Sequence, residues 1–134
     1  MVTVTSTGPG TGCLVSDGTR RLWADTTPEK GGEGAGWRPH DLLAAALASC
    51  LVIQLRMFAA QEQIPLTGVV VKVDIDRSVP GRSVFRKDVE FSGDALTVGD
   101  RQRLRAMGGG CPVQNTLSVR LEFVLADPAG AGQA

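Results

Sequence analysis

Between Leu42 and Ile53 the chain reads LLAAALASCLVI, twelve residues in which Ser49 is the only polar side chain and Cys50 lies deep in the run. Pro39 precedes it with a φ suited to the first helical turn. Asp41 follows where the positive end of a helix dipole favours an anion. A helix that is apolar on every side must be covered, by a protein core or by lipid. An unbroken run of twelve is short for a bilayer, which takes about 20 residues. Gln54 and Arg56 end the run, and Pro65 enforces an exit from the helix. The expectation is a buried central helix from Pro39 to about Gln63 with a cysteine in its middle.

What surrounds that helix follows from local pattern. Val2 to Thr7 alternates Val and Thr and predicts a strand. The turn Gly8 to Gly12 leads to a returning strand, Cys13 to Ser16. Asp17-Gly18 is a tight-turn pair, and Arg21 to Asp25 predicts a third short strand. The glycine-rich segment from Thr26 to Gly36 is a loop into the helix. After Pro65, Gly68 to Asp76 places Val69, Val71, Val73 and Ile75 on one face and Lys72, Asp74 and Asp76 on the other. A turn at Pro80-Gly81 and a strand from Phe85 to Phe91 complete a hairpin. Val98 to Met107 suits a short helix capped by Asp100 and stopped by Gly108-Gly109-Gly110. Cys111 to Ser118 is a helical turn with Pro112 first. Val119 to Leu125 alternates as a final strand. The order βββ-α-ββ-α-β is an α+β pattern of antiparallel sheets around a helix. At 134 residues this is one domain, 1–126, with a flexible C-terminal tail over 127–134.

Lys plus Arg and Asp plus Glu are both 14, so the chain lacks the basic surface that nucleic acid or an anionic membrane would need. The first residues have neither a basic start nor a long apolar stretch, so no signal peptide is visible. The expected location is the cytoplasm, where thiols stay reduced. Three cysteines there are reactive or simply buried rather than paired in structural disulfides.

Cys111 stands just before Pro112 at a helix start, facing unpaired N–H groups. Such a setting favours a thiolate, although on local chemistry alone a small residue beside a glycine run is the commoner explanation of the position. Cys50, taken alone, reads as a small core hydrophobe, and Cys13 as incidental. Metal ligation by Cys50, Cys111 and His40, the single histidine, lacks the short-spaced ligand pairs of zinc sites, so no metal is expected. Gly31 to Gly36 lacks the Lys-Ser/Thr of a phosphate loop and a preceding βαβ strand. One histidine and no serine elbow leave little room for a hydrolase triad.

The two cysteine stretches, PHDLLAAALASC over 39–50 and CPVQNTL over 111–117, resemble the OsmC/Ohr family of thiol-dependent peroxidases. The hairpin between them and the loop from Asp25 to Gly36 also fit, so the resemblance spans nearly the whole chain. It implies an OsmC-like fold in which two chains form an intertwined homodimer, with sheets wrapped around central helices. It implies reduction of organic, fatty-acid-type hydroperoxides with Cys50 as the peroxidatic thiol, oxidised to a sulfenic acid, and Cys111 as the resolving thiol. A dithiol or lipoyl-type reductant would reopen the disulfide. No cofactor is required.

The hydroperoxide-resistance members carry a glutamate after the helix-opening proline and an arginine in the first hairpin. Here those positions hold His40 and Gly10, and the acid comes one residue later as Asp41, as in looser OsmC-like members. Arg20, Arg21 or Arg38 is left to supply the cation. Asp41 and Cys50 are nine residues apart, about 13–14 Å along a helix and half a turn round it. The two cannot meet within one straight helix, so the acid belongs to a partner chain's site or to none. The alternative function is an OsmC-like protein with weak or no peroxidase activity that binds a small apolar ligand at the dimer interface. The remaining one is a structural subunit whose cysteines are only core.

Overall fold

The computed structural model describes residues 1–126; the tail expected over 127–134 falls outside them. Its elements run β1 (Thr3–Ser6), β2 (Cys13–Ser16), β3 (Arg21–Ala24), α1 (Pro39–Gln61), β4 (Gly68–Asp76), β5 (Val84–Ser92), α2 (Val98–Met107) and α3 (Pro112–Leu117). The architecture is α+β, with two antiparallel sheets, β1-β2-β3 and β4-β5.

The β4–β5 hairpin packs on α1 because its alternation is regular. Val69 pairs with Phe91, Val71 with Val89 and Ile75 with Phe85, and these side chains share the inner face. The outer face carries ion pairs, Lys72 with Glu90 and Arg86 with Asp76. One residue breaks the inner pattern. Lys87, opposite Val73, stands where the period calls for an apolar side chain.

Helix α1 presents Leu47, Leu51, Leu55 and Ala59 inward, one residue per turn. Leu51, Leu55 and Ala59 meet Ile64, Leu66 and Leu104 in the core, and Phe58, Val71, Val89 and Phe91 pack around them. Gln63 ends the helix in the left-handed region at φ 53°. The amide of Ile64 bonds the Ala59 carbonyl at 2.8 Å and that of Gln63 the Ala60 carbonyl at 3.3 Å, a Schellman closure sealed by buried Ile64. Helix α2 spans Val98–Met107 as expected, but its cap is Thr97 rather than Asp100. The Thr97 hydroxyl accepts from the Asp100 amide, and the Asp100 carboxylate accepts from the Thr97 amide, so the acid is the third residue of a capping box.

Two expectations change. At 23 residues α1 is long and apolar enough to cross a membrane by length and composition. The twelve-residue estimate counted only the unbroken run and missed the apolar turn from Leu55 to Ala60. Only the Leu47–Ala59 stripe is buried, while Ile53 and Met57 on another face are exposed. The segment from Val119 to Leu125 does not form a strand. Its alternation is real, but among the described residues it has no neighbouring strand to bond, and Val119, Leu121, Phe123 and Leu125 are exposed.

The loop between β3 and α1 is organised by Asp25, a buried carboxylate. It accepts from the Thr11 hydroxyl (2.6 Å) and from the amides of Thr26 (2.7 Å), Glu33 (3.0 Å) and Ala35 (3.4 Å). These bonds, led by the one from Thr11, hold its pKa down at about 2. The amides of Trp37 and Asp25 then bond the carbonyls of Trp23 and Trp37. Gly36 allows that approach, because a Cβ there would lie 2.6 Å from the Trp23 carbonyl.

Candidate functional site

Cys50 is half-buried on α1 and opens into a cavity of about 470 Å³ lined by Ile53, Met57, Phe58, Met107 and Pro112, with Gln54 and Gln61 as its amides. This wall is almost wholly apolar, as expected for a site that holds a small hydrophobic molecule.

Cys111 is also a free thiol, but only 2% exposed. It stands at the N-cap of α3, and Pro112, the first residue of that helix, reaches the Cys50 cavity. The segment that carries it is fixed through three successive glycine carbonyls. Lys87 Nζ donates to Gly108 O at 3.2 Å, Gln114 Nε2 to Gly109 O at 3.0 Å, and Gln54 Nε2 to Gly110 O at 3.0 Å. Lys87 also donates to Gln114 Oε1 at 2.6 Å. Gln54 lies one turn after Cys50, on the same face of α1. Its bond to the residue before Cys111 therefore brings the second thiol's segment to the turn of α1 that follows the first.

Sequence reasoning missed Gln54, Lys87 and Gln114. The first two had a signal: each is a polar side chain set into an apolar face, Gln54 at the end of the α1 run and Lys87 on the inner side of β5.

The expected supporting residues lie elsewhere in this chain. Arg20 pairs with Asp17 at the β2–β3 turn (3.2 Å), and Arg21 is exposed at the start of β3. Arg38 sits 4.0 Å from Asp41. Arg38 and His40 line a separate concavity of about 370 Å³ with Cys13, Asp25, Lys30 and Arg77. Asp41 faces another hollow, beside Trp23 and Trp37. None of the five lines the Cys50 cavity. Among the described residues no cluster of His, Cys, Asp or Glu is arranged to hold a metal.

The family model for OsmC-like proteins matches residues 31–125, a stretch that contains both cysteines and the segments that hold them. The chain belongs to the OsmC-like family. Solved OsmC-like structures share its fold. A putative osmotic stress induced and detoxification response protein from Psychrobacter arcticus is 22% identical, with 86% of this chain and 85% of that one covered at a TM-score of 0.72. An OsmC-like protein from Mycoplasma pneumoniae is 18% identical over 87% and 85%, at 0.71. An organic hydroperoxide resistance protein from Legionella pneumophila is 24% identical over 88% and 89%, at 0.59. A comparison with curated proteins gives no match.

Proposed function

We propose that this OsmC-like chain is a cysteine-based peroxidase of organic hydroperoxides, with Cys50 as peroxidatic and Cys111 as resolving thiol. The observation that carries the reading is the asymmetry of the two thiols. One opens into an apolar cavity, and the other is buried on a segment tied to the next turn of α1. The Cys50 thiolate attacks the distal oxygen of ROOH. The O–O bond breaks, Cys50 becomes a sulfenic acid, and the alkoxide leaves and takes a proton to give ROH. The Cys111 sulfur then displaces water from the sulfenic acid, forming a disulfide that a dithiol or lipoyl-type reductant reopens by exchange.

The working unit is a homodimer in this reading. Ile53 and Met57 leave an apolar face of α1 uncovered, and Val119 to Leu125 keeps strand alternation without a neighbour; a second copy covers the first and pairs with the second. The same copy brings a cation, from Arg38, Arg20 or Arg21, to the thiolate. Light scattering should give twice the 14.0 kDa chain mass, and a monomer would overturn the dimer.

Cumene hydroperoxide should remove two hydrogens from the intact protein by mass spectrometry. Cys50→Ser should abolish the change, and Cys111→Ser should leave a trappable sulfenic acid. Protein that keeps both thiols reduced under excess peroxide refutes the mechanism. The second reading, an apolar-ligand binder without peroxidase chemistry, is favoured by the lack of a cation lining the Cys50 cavity. It predicts that an apolar ligand raises Tm while peroxide leaves the thiols untouched.

A further inference from the structure

The concavity of about 370 Å³ between the N-terminal sheet and the start of α1 differs in kind from the apolar Cys50 cavity. Lys30, Arg38 and Arg77 all line it, with His40 beside them. They come from three separate segments: the short turn Pro28–Lys30, the entry to α1 and the exit from β4. Lys30 and Arg77 make no ion pair among the described residues, and Arg38 has only Asp41, at 4.0 Å. The one acid on the wall, Asp25, gives both its oxygens to the Thr11 hydroxyl and three amides. Three fixed positive charges against one negative leave the wall with an excess of two, in a chain whose net charge is zero. Like charges that converge in this way repel one another until an anion joins them.

Helix α1 adds to the same field. Arg38 at its N-cap offers no side-chain acceptor, so the first-turn amides keep the bare positive end of the helix dipole. Pro39 and His40, which open that turn, line the concavity.

We infer that this concavity binds a small phosphorylated molecule by its phosphate group. A phosphate dianion matches the excess charge, and its several oxygens accept from guanidinium and ammonium groups that arrive from different directions. The volume leaves room for a small organic body against Ala24 and Pro39. The inference does not rest on the peroxidase reading. Of these cations only Arg38 is also a candidate partner for a thiolate, and Lys30 and Arg77 carry the test.

His40 is the chain's single histidine, so its ring protons report on the concavity directly in a proton NMR spectrum of the untagged chain. At fixed pH and ionic strength, inorganic phosphate should shift them along a saturating curve. Acetate, with one charge fewer, should bind about tenfold more weakly. Lys30→Gln combined with Arg77→Gln should weaken phosphate about tenfold. Both positions are exposed, so the fold is spared. Arg105→Gln, which removes an exposed cation from α2, should leave the curve unchanged. A shift that follows ionic strength alone, acetate as tight as phosphate, or a phosphate curve that survives the double substitution overturns the site.

Discussion

Helix α2 buries one side chain completely, Leu104, with Met107 packed at the edge of the same core. Leu104 is fully buried among the α1 leucines, while the rest of α2 is largely solvent-facing. Leu104→Ala removes three carbons from a site where the surrounding residues belong to α1 and the hairpin and have little freedom to collapse. Losses of this kind cost about 3–5 kcal/mol. With a urea slope of about 2 kcal/mol per molar, the unfolding midpoint should drop by about 1.5–2.5 M. Val98→Ala on the same helix, at a position 74% exposed, should shift it by less than about 0.3 M. α2 leads directly into the glycine run, so Leu104→Ala should also speed alkylation of Cys111 under native conditions. A midpoint change below about 0.5 M, or one matched by Val98→Ala, would show that α2 is held by something other than this contact.

Three further outcomes are expected. Gln63→Gly should stabilise the chain by about 1 kcal/mol, because glycine accepts the left-handed conformation without cost; Tm should rise by about 3–5 °C, and no rise would dismiss strain at that cap. Asp25 has a depressed pKa, so its contribution is complete above about pH 4 and lost as pH falls toward 2. Tm profiles of wild type and Asp25→Ala should therefore differ at pH 6 and converge near pH 2, whereas a constant gap would mean that the charge is not what orders the loop. Gly36→Ala must push a Cβ into the Trp23 carbonyl, so thermal melts should show a loss of more than about 2 kcal/mol; a neutral result would mean that the β3–loop contact is easily dispensed with.

Much of this was readable from local pattern. α1, the β4–β5 hairpin and α2 announce themselves because a period of 3.6 or 2 and a helix start signal lie within a few residues of each other. β4 and α2 come out with the expected bounds. The capping box was half-read, since Asp100 was seen and its partner Thr97 was not. Val119 to Leu125 shows where pattern stops being enough: alternation states which face a strand would bury, but a strand also needs a neighbour, and that lies outside local sequence. The pairing of the Cys50 and Cys111 stretches was legible only as a resemblance. The physical link between them, Gln54 to Gly110, spans 56 residues and could have been sought only by asking why a glutamine and a lysine interrupt two apolar faces.

The glycine run has a consequence for how the second thiol is reached. Cys111 is shielded, yet the segment before it is secured at three carbonyls by Lys87, Gln114 and Gln54. Such polar latches can let go while the leucine core stays intact, so this stretch should open on its own at a cost below the free energy of global unfolding. If the proposed disulfide forms, a bulky reductant need not fit the native cavity. It can wait for the latches to part, and the rate of thiol turnover would then be read in the exchange rates of the amides from Gly108 to Cys111.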